Sequence, residues 1–168
     1  MTPDALESLI RNSARDVLRY FERRVAQPAD AADCLSEVLL VLWRDRSRVP
    51  DDPLEARLWM FGIARTTLAA AGRRSGRRSA EVERLRALLE ATPTDLPADS
   101  EGLAIDLREA IAGLPEAQRE VVQMHHWEGL PLVDIAAVVG TSPSTVRSRY
   151  AAARASLAQA LAPYGVDV

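Results

Sequence analysis

Serine, alanine and arginine side chains near the carboxyl end of the sequence have the types and spacing needed to bind nucleic acid. At roughly 100° per residue, residues 143–161 form a helix with four small residues on one face: Ser144, Ser148, Ala151 and Ala155. Arg147 and Arg154 border this face on one side and Arg149 on the other. A low ridge between guanidinium groups fits the major groove of DNA, where arginine binds phosphates and guanine edges. The pattern predicts a DNA-reading helix.

Two helices joined by a sharp turn must position that face. Gly140 can adopt the positive φ that ends a helix, and Ser142 and Pro143 supply an N-cap and a first helical residue. The apolar face of the first helix comprises Leu132, Ile135, Ala136 and Val139. The apolar face of the second comprises Val146, Tyr150, Ala153, Leu157 and Leu161. An ordinary helical corner with solvated arginines is the alternative interpretation.

The composition is that of a globular protein that works in a reducing compartment. The 168 residues are 48% hydrophobic and 27% charged. We find no signal peptide and no apolar run near the ~20 residues that span a membrane, so we expect a cytoplasmic protein without membrane insertion. The single cysteine, Cys34, lies in an apolar run, where packing is the expected role rather than redox chemistry.

The net charge of −3 is unusual for a protein that binds DNA unaided. Residues 1–90 hold 16 arginines against 14 acidic residues, whereas residues 91–168 hold 5 against 10. Neutralising phosphates supplies most of the non-specific affinity for DNA. We therefore expect a larger partner to share the binding of DNA.

Three helices are predicted before residue 79. The first begins at Thr2-Pro3-Asp4 and is expected to stop at Pro28. The second, capped by Asp30 or Asp33, runs from Ala31 to about Arg44 and is apolar almost all round, which indicates a core helix or a core helix with a partner surface.

The third helix, near residues 54–72, runs into four arginines within residues 73–78. With Trp59 and Arg65 upstream, this basic surface suits single-stranded or melted nucleic acid, whose bases stack on aromatic rings. Residues 79–102 are expected to be a linker, in which a short amphipathic segment, Val82–Leu89, leads into a stretch rich in Pro, Asp and Thr and poor in apolar residues. The expected class is all-α: helical domains at residues 1–78 and 103–168, joined by this flexible linker. The second is a four-helix unit with the helix-turn-helix.

No arrangement for catalysis, cofactor binding or metal binding is evident in the sequence. His125 and His126 are adjacent, so on a helix they diverge by about 100° and serve as surface or packing residues rather than as joint metal ligands. There is no phosphate-binding glycine loop and no Ser/His/Asp set. We expect neither an enzyme nor a cofactor.

Taken in this order, these segments resemble the bacterial extracytoplasmic-function sigma factors of the sigma-70 superfamily. LPEAQREVVQMHHWEGLPLVDIAAVVGTSPSTVRSRYAAAR is similar to the region-four signature of the family. ADAADCLSEVLLVLW resembles the helix that binds core polymerase, and RLWMFGIARTTLAAAGRR is similar to the segment that reads and melts the −10 element. The resemblance implies a promoter-specificity subunit that binds RNA polymerase core and promoter DNA, with an anti-sigma factor as an expected further partner.

The resemblance also implies three sets of contact residues. The polymerase-binding set is Asp33, Glu37, Leu40 and Trp43. The set facing the −10 element is Trp59, Arg65, Arg73 and Arg74, with the loop of residues 45–53 near the flipped base. The set facing the −35 element is Ser144, Thr145, Arg147, Ser148 and Arg149.

The sequence departs from the family pattern at three places. Thr66 stands where asparagine is usual, Ala70 where an acidic residue is frequent, and Ala151 and Ala152 where one larger side chain is common. Two other functions stay open from the residues. One is a stand-alone helix-turn-helix regulator, and the other is a sigma-like interaction module that no longer reads DNA.

Overall fold

Seven α-helices and no strand make up the part of the chain that the computed structural model describes, which confirms the all-α prediction. The structure describes the backbone of residues 1–89 and 102–162, and the side chains of residues 1–74 and 107–162. The helices are α1 Pro3–Glu22, α2 Pro28–Arg44, α3 Pro53–Leu89, α4 Gly102–Gly113, α5 Glu116–His126, α6 Leu132–Val139 and α7 Pro143–Leu161. The chain divides into two compact units, Met1–Asp95 and Leu96–Val168.

In the first unit, α1, α2 and α3 pack against one another. Two of the three helices begin at capping side chains. The Thr2 hydroxyl accepts a hydrogen bond from the backbone N–H of Ala5 at 3.3 Å, and the Asp52 carboxylate accepts two, from Leu54 and Glu55, at 3.0 and 2.9 Å. These side chains satisfy amides that the first turn of a helix leaves unpaired.

The core of this unit is aromatic where α1 meets α3. Tyr20 contacts Phe21 and Phe61 edge to face, with ring centroids 5.5 and 6.0 Å apart, and all three side chains are buried. An ion pair between Arg57 and Asp16, 3.2 Å long, joins the same two helices at the edge of the core. This packing fixes the rotation of α3 about its own axis.

The prediction for the end of α1 and the beginning of α2 was wrong by several residues. α1 ends at Glu22, and Pro28 opens α2 instead of stopping α1. The cap of α2 is Gln27, whose side chain makes no capping hydrogen bond, so neither Asp30 nor Asp33 has that role. Proline is well suited to the first turn of a helix because the N–H that it lacks has no partner there.

α3 is longer than predicted. It continues past Gly72 to Leu89, so residues 79–89 of the expected linker are helical. Gly72 and Gly76 each cost only about 1 kcal/mol in a helix, and no proline interrupts the segment. Residues 90–101, the rest of the expected linker apart from Gly102, lie outside the described residues.

In the second unit, α7 packs against α4, α5 and α6. Leu114 and Val122 form a buried cluster with Ala153 and Leu157 of α7. Val146 and Leu161 extend the buried face of α7 to both of its ends, as predicted. The helix that carries the candidate DNA-reading face is therefore the centre of its unit.

One apolar prediction in this unit needs correction. In α6 it is Val138 that is buried, whereas Val139 is half-buried, because the core face of the helix is rotated slightly toward Val138. Ile135 and Ala136 are buried as predicted.

The turn between α6 and α7 has the predicted chemistry. Gly140 ends α6 at φ 67°, and the Thr141 N–H donates to the Ala136 carbonyl at 3.0 Å. The Ser142 hydroxyl accepts a hydrogen bond from the Thr145 N–H at 3.2 Å, and Pro143 follows as the first helical residue. A left-handed glycine followed by an N-cap reverses the chain in few residues.

Substitution of Ser142 by alanine should destabilise the second unit by about 1 kcal/mol, because the first turn of α7 loses its cap. Urea unfolding followed by NMR signals of α7 measures the change. Ser156→Ala is the matched control, since this exposed hydroxyl donates to the Ala152 carbonyl within the helix and caps nothing. Equal effects of the two substitutions would contradict the capping role.

Candidate nucleic-acid and protein interfaces

The outward face of α7 is arranged as the sequence predicts. Ser144, Ser148, Ala151 and Ala155 are all exposed, opposite the buried face. Arg147 is exposed, and it makes no hydrogen bond or ion pair with any residue that the structure describes. Arg149, on the other border, is half-buried. Arg147 is therefore the more exposed of the two predicted arginine contacts of α7, and its charge is available for a ligand.

The hydroxyl groups at the beginning of α7 hydrogen-bond to one another. The Ser142 oxygen lies 2.8 Å from the hydroxyl of Ser144 and 2.8 Å from that of Thr145. Ser144 is exposed, and Thr145 is half-buried. These predicted contact residues therefore present a pre-ordered hydroxyl cluster at the positive end of the helix dipole, where a phosphate is well accommodated.

A cluster of three rings joins α5 to α7 behind this face. The His126 Nε2 lies 3.0 Å from the Tyr150 hydroxyl, and the two rings stack at 5.9 Å. The ring of His125 meets that of Tyr150 edge to face at 5.0 Å, and its Nδ1–H donates to the Leu130 carbonyl at 2.9 Å. The cluster fixes the position of Tyr150 on α7. Sequence reasoning left both histidines as surface or packing residues, because their partner is 24 or more residues away.

The pKa of His126 is lowered, first by burial and then by the positive charges of His125 and Arg154. The folded unit thus favours neutral His126. The contribution of His126 to the free energy of unfolding is therefore fully present above the ordinary pKa near 6.5, and it is lost as the pH drops below that value. We expect wild type to lose more stability between neutral pH and mild acid than His126→Gln. Urea unfolding across that range, monitored by NMR signals of α7, checks this. Parallel pH profiles for the two proteins would contradict it.

The predicted −10 residues of α3 do not share one face. Trp59 and Arg65 are half-buried and lie roughly 120° apart around the helix, on either side of the exposed strip that carries Thr66 and Arg73. Arg74 is exposed but pairs with Glu37 of α2 at 2.9 Å. The side chains of residues 75–78, the rest of the predicted basic patch, lie outside those described.

The departure at Thr66 has a structural consequence. Its hydroxyl donates to the Ile63 carbonyl at 2.8 Å, so it is engaged with its own helix although the residue is exposed. Ala70, one turn further, is half-buried and offers only a methyl group. On this face of α3, Arg73 is therefore the residue that is both charged and exposed and that makes no ion pair with any described residue.

The exposed face of α2 combines acidic and large apolar side chains. Leu40 is 69% exposed and Trp43 is 59% exposed, while Glu37 and Asp33 lie about one and two turns before Leu40 on the same side of the helix. The guanidinium group of Arg46 lies 5.8 Å from the centre of the Trp43 ring. The opposite face is buried: Ala31, Cys34, Val38 and Leu42. Exposed apolar groups beside charges are typical of a protein-binding surface.

Cys34 has the packing role that its position predicts. The side chain is 3% exposed on the inner face of α2. Burial, and then the carboxylate of Glu37, raises the pKa of its thiol. A buried thiol with a raised pKa is a poor nucleophile, because the thiolate is the reactive form.

No group of three or more potential metal-ligating side chains occurs among residues whose side chains the structure describes. Within the same part of the chain, no helix is both long enough and apolar enough to cross a bilayer.

Two family models match the chain in sequence order. Sigma-70 region 2 matches residues 9–78, and Sigma-70 region 4 matches residues 104–157. The first match contains α2 and the amino-terminal part of α3, and the second contains the helix-turn-helix. Each candidate face described above therefore falls within one of the two matched regions.

Similar proteins extend the match to nearly the whole chain. The ECF RNA polymerase sigma factor SigL of Mycobacterium tuberculosis is 28% identical over 166 residues, which cover 96% of this chain and 91% of SigL. The fold is similar to that of Bartonella quintana RpoE, solved in complex with the anti-sigma factor NepR. That match has a TM-score of 0.54 at 24% identity and covers 94% of this chain and 91% of RpoE. CnrH, solved in complex with the cytosolic domain of CnrY, gives a TM-score of 0.66 at 21% identity over 96% of this chain and 90% of CnrH.

Neither alternative function is favoured by these matches. The chain carries both sigma regions in sequence order, and its similarity to a sigma factor extends over nearly its whole length. Sigma factors are transcription initiation factors, and neither match indicates a catalytic family. The chain belongs to the sigma-70 family and is an RNA polymerase sigma factor of the extracytoplasmic-function type.

Proposed function

We propose that the two units divide promoter recognition between them. Residues 1–78 bind polymerase core and the −10 element, residues 103–168 bind the −35 element, and residues 79–102 connect them. The observation that carries this proposal is the presence of two different exposed faces. The outer face of α7 carries Arg147, which has no ion pair to any described residue, and the outer face of α2 combines large apolar side chains with acidic ones. One suits DNA and the other suits protein.

At the −35 element, the small ridge of α7 allows close approach to the major groove, and Arg147 binds a phosphate or a guanine edge. Ser144 and Thr145 bind phosphate through the ordered hydroxyl cluster, and Ser148 lies at the centre of the ridge. Arg149 is half-buried, so its contact is peripheral. With short side chains at most groove-facing positions, we expect few bases to be read directly.

At the −10 element, the exposed strip of α3 faces the melted strand. Arg73 binds its backbone, Trp59 and Arg65 flank the strip, and a base flipped from the duplex lies near residues 45–53. Binding energy for the unpaired strand drives opening, so the protein needs no catalysis of its own. The net charge of −3 fits this division, because polymerase supplies the remaining affinity for DNA.

An anti-sigma factor is the second partner that we propose. The support is that the similar folds of RpoE and CnrH were solved with an anti-sigma factor and with the cytosolic domain of CnrY, respectively. Such a protein would compete with polymerase for the apolar face around Leu40 and Trp43. We propose the cytoplasm, where polymerase acts, as the site of function.

Run-off transcription with core polymerase tests the proposal. Promoter-dependent transcripts should appear only when the chain is added, and Arg147→Ala should reduce them while leaving the polymerase complex intact. Tight duplex binding without polymerase, or a complex that initiates at no promoter, would contradict it. A pull-down from the native host identifies whether polymerase core, an anti-sigma factor or neither co-purifies.

A further inference from the structure

One ion pair joins the proposed polymerase-binding face to the proposed DNA-binding segment. The carboxylate of Glu37 on α2 accepts a hydrogen bond from the guanidinium group of Arg74 on α3 at 2.9 Å. The two residues are 37 positions apart in the chain, and their side chains are 45% and 50% exposed. Both side chains are therefore accessible to a partner, but in this structure each is paired with the other.

A cavity lies beside this pair. Its volume is about 410 Å³, and it is lined by residues of the α1–α2 loop, α2 and α3. Small or flexible groups form much of its wall, among them Ala26, Ala71 and Gly72, together with Glu37 and Arg74 themselves. Because no close-packed core surrounds the pair, the Arg74 side chain can leave Glu37 without breaking buried apolar contacts.

Neighbouring residues indicate what Glu37 and Arg74 would each bind if they were not paired with one another. Glu37 shares its face with Asp33 and Leu40, so a basic group on a protein docked there would meet its carboxylate. Arg74 follows Arg73, which is exposed and makes no ion pair with any described residue. The single negative charge of Glu37 cannot neutralise both Arg74 and a basic group of a docked protein, so the two compete for it.

We propose that the Glu37–Arg74 ion pair is a latch that withholds Arg74 from DNA until polymerase binds the face of α2. A basic group of polymerase takes Glu37, and Arg74 is released toward the nucleic acid phosphates. This inference rests on the proposed function of α2 and α3. It makes Arg74 a DNA contact only in the polymerase complex, whereas Arg73 is available in both states.

The size of the effect follows from the exposure of the pair. Exposed ion pairs contribute roughly 0.2–1 kcal/mol, so opening the latch should tighten DNA binding by up to about five-fold at low ionic strength. The effect should fade as salt screens the pair. A double-mutant cycle is the suitable measurement, because it isolates the coupling between the two side chains.

The full chain without polymerase is titrated with a fluorescently labelled, mixed-sequence single-stranded DNA at low ionic strength. Glu37→Gln should tighten binding about two- to five-fold. Arg74→Gln alone should change binding little, but it should abolish the gain that Glu37→Gln produces. Glu37→Asp keeps the negative charge while shortening the side chain, so it should give an intermediate gain.

Two matched variants control for charge. Glu55→Gln also removes one negative charge, but at a position roughly 28 Å from Arg74 along α3. Any effect that this substitution has on DNA binding should not depend on Arg74. Arg73→Gln should weaken binding by the same factor in the wild-type protein and in the Glu37→Gln variant. The latch is overturned if Glu37→Gln leaves DNA binding unchanged, or if its effect survives in the Arg74→Gln background. Thermal unfolding confirms that each variant remains folded at the assay temperature.

A second arm uses saturating core polymerase. There the wild type and Glu37→Gln should bind DNA alike, since the latch is already open, and Arg74→Gln should now weaken binding. A persistent advantage of Glu37→Gln in the complex would overturn the release step. If the chain failed to bind polymerase at all, the proposed function would be wrong. The double-mutant cycle in the free protein would still decide whether the Glu37–Arg74 ion pair withholds Arg74 from DNA.

Discussion

Replacing Arg147 by alanine should weaken the polymerase complex at the −35 element by about 1–3 kcal/mol, which is roughly a 5- to 150-fold loss of affinity. The side chain is exposed on the border of the groove-facing ridge and has no partner among the described residues, so its charge is free for DNA. Binding of the complex to a duplex promoter that it transcribes gives the measurement. Folding should be unaffected, because the side chain supports no core residue.

Arg147→Lys separates the two ways in which this arginine can bind. A bidentate contact to guanine requires the planar guanidinium group, so lysine should not restore it. A phosphate contact requires only the charge, so lysine should restore it, and Arg147→Ala should lower the salt dependence of binding by about one ion. Unchanged affinity of Arg147→Ala for both promoter and mismatched DNA would remove this residue from the interface.

Replacing Trp43 by alanine should weaken binding to core polymerase by at least about 2 kcal/mol, close to a thirty-fold rise in Kd. Tryptophan is a frequent anchor of protein interfaces, and this one is 59% exposed next to Leu40 on the outer face of α2. Stability should change by less than about 0.5 kcal/mol, because the side chain contributes little to the core. Titration of labelled protein with core polymerase measures the Kd.

Leu54→Ala is the matched control for Trp43→Ala. Leu54 is also a large apolar side chain, 51% exposed, but it lies in the first turn of α3. Its truncation should leave the Kd for polymerase nearly unchanged. If the two substitutions weakened binding equally, the outer face of α2 would not be the docking site, and general loss of apolar surface would explain both results.

The helix-turn-helix was predictable because its signals are local. Gly140, Ser142 and Pro143 each act on the backbone within a few residues, so the end of α6 and the beginning of α7 fall where the sequence indicates. Pro28 shows the limit of such signals. A proline can either end the preceding helix or open the following one. Which of the two happens at Pro28 depends on how the loop after α1 packs.

The contact partners of the candidate sites were not predictable. Glu37 and Arg74 are 37 residues apart, and His126 and Tyr150 are 24 apart, so no short-range pattern connects them. Each pair forms because helix packing brings two surfaces together. The first pair changes how Arg74 is interpreted, from an available DNA contact to one held by α2. The second explains two histidines for which the sequence suggested only surface or packing roles.

The sequence by itself determined the all-α class, the helix-turn-helix and the small, arginine-bordered face of α7, because helical period and capping chemistry are properties of neighbouring residues. Only the tertiary structure decided which arginines are available to a ligand. Availability depends on what lies opposite each side chain: Arg147 has no described partner, whereas Arg74 has Glu37. Rotation of each helix about its axis, fixed by its buried face, sets that difference.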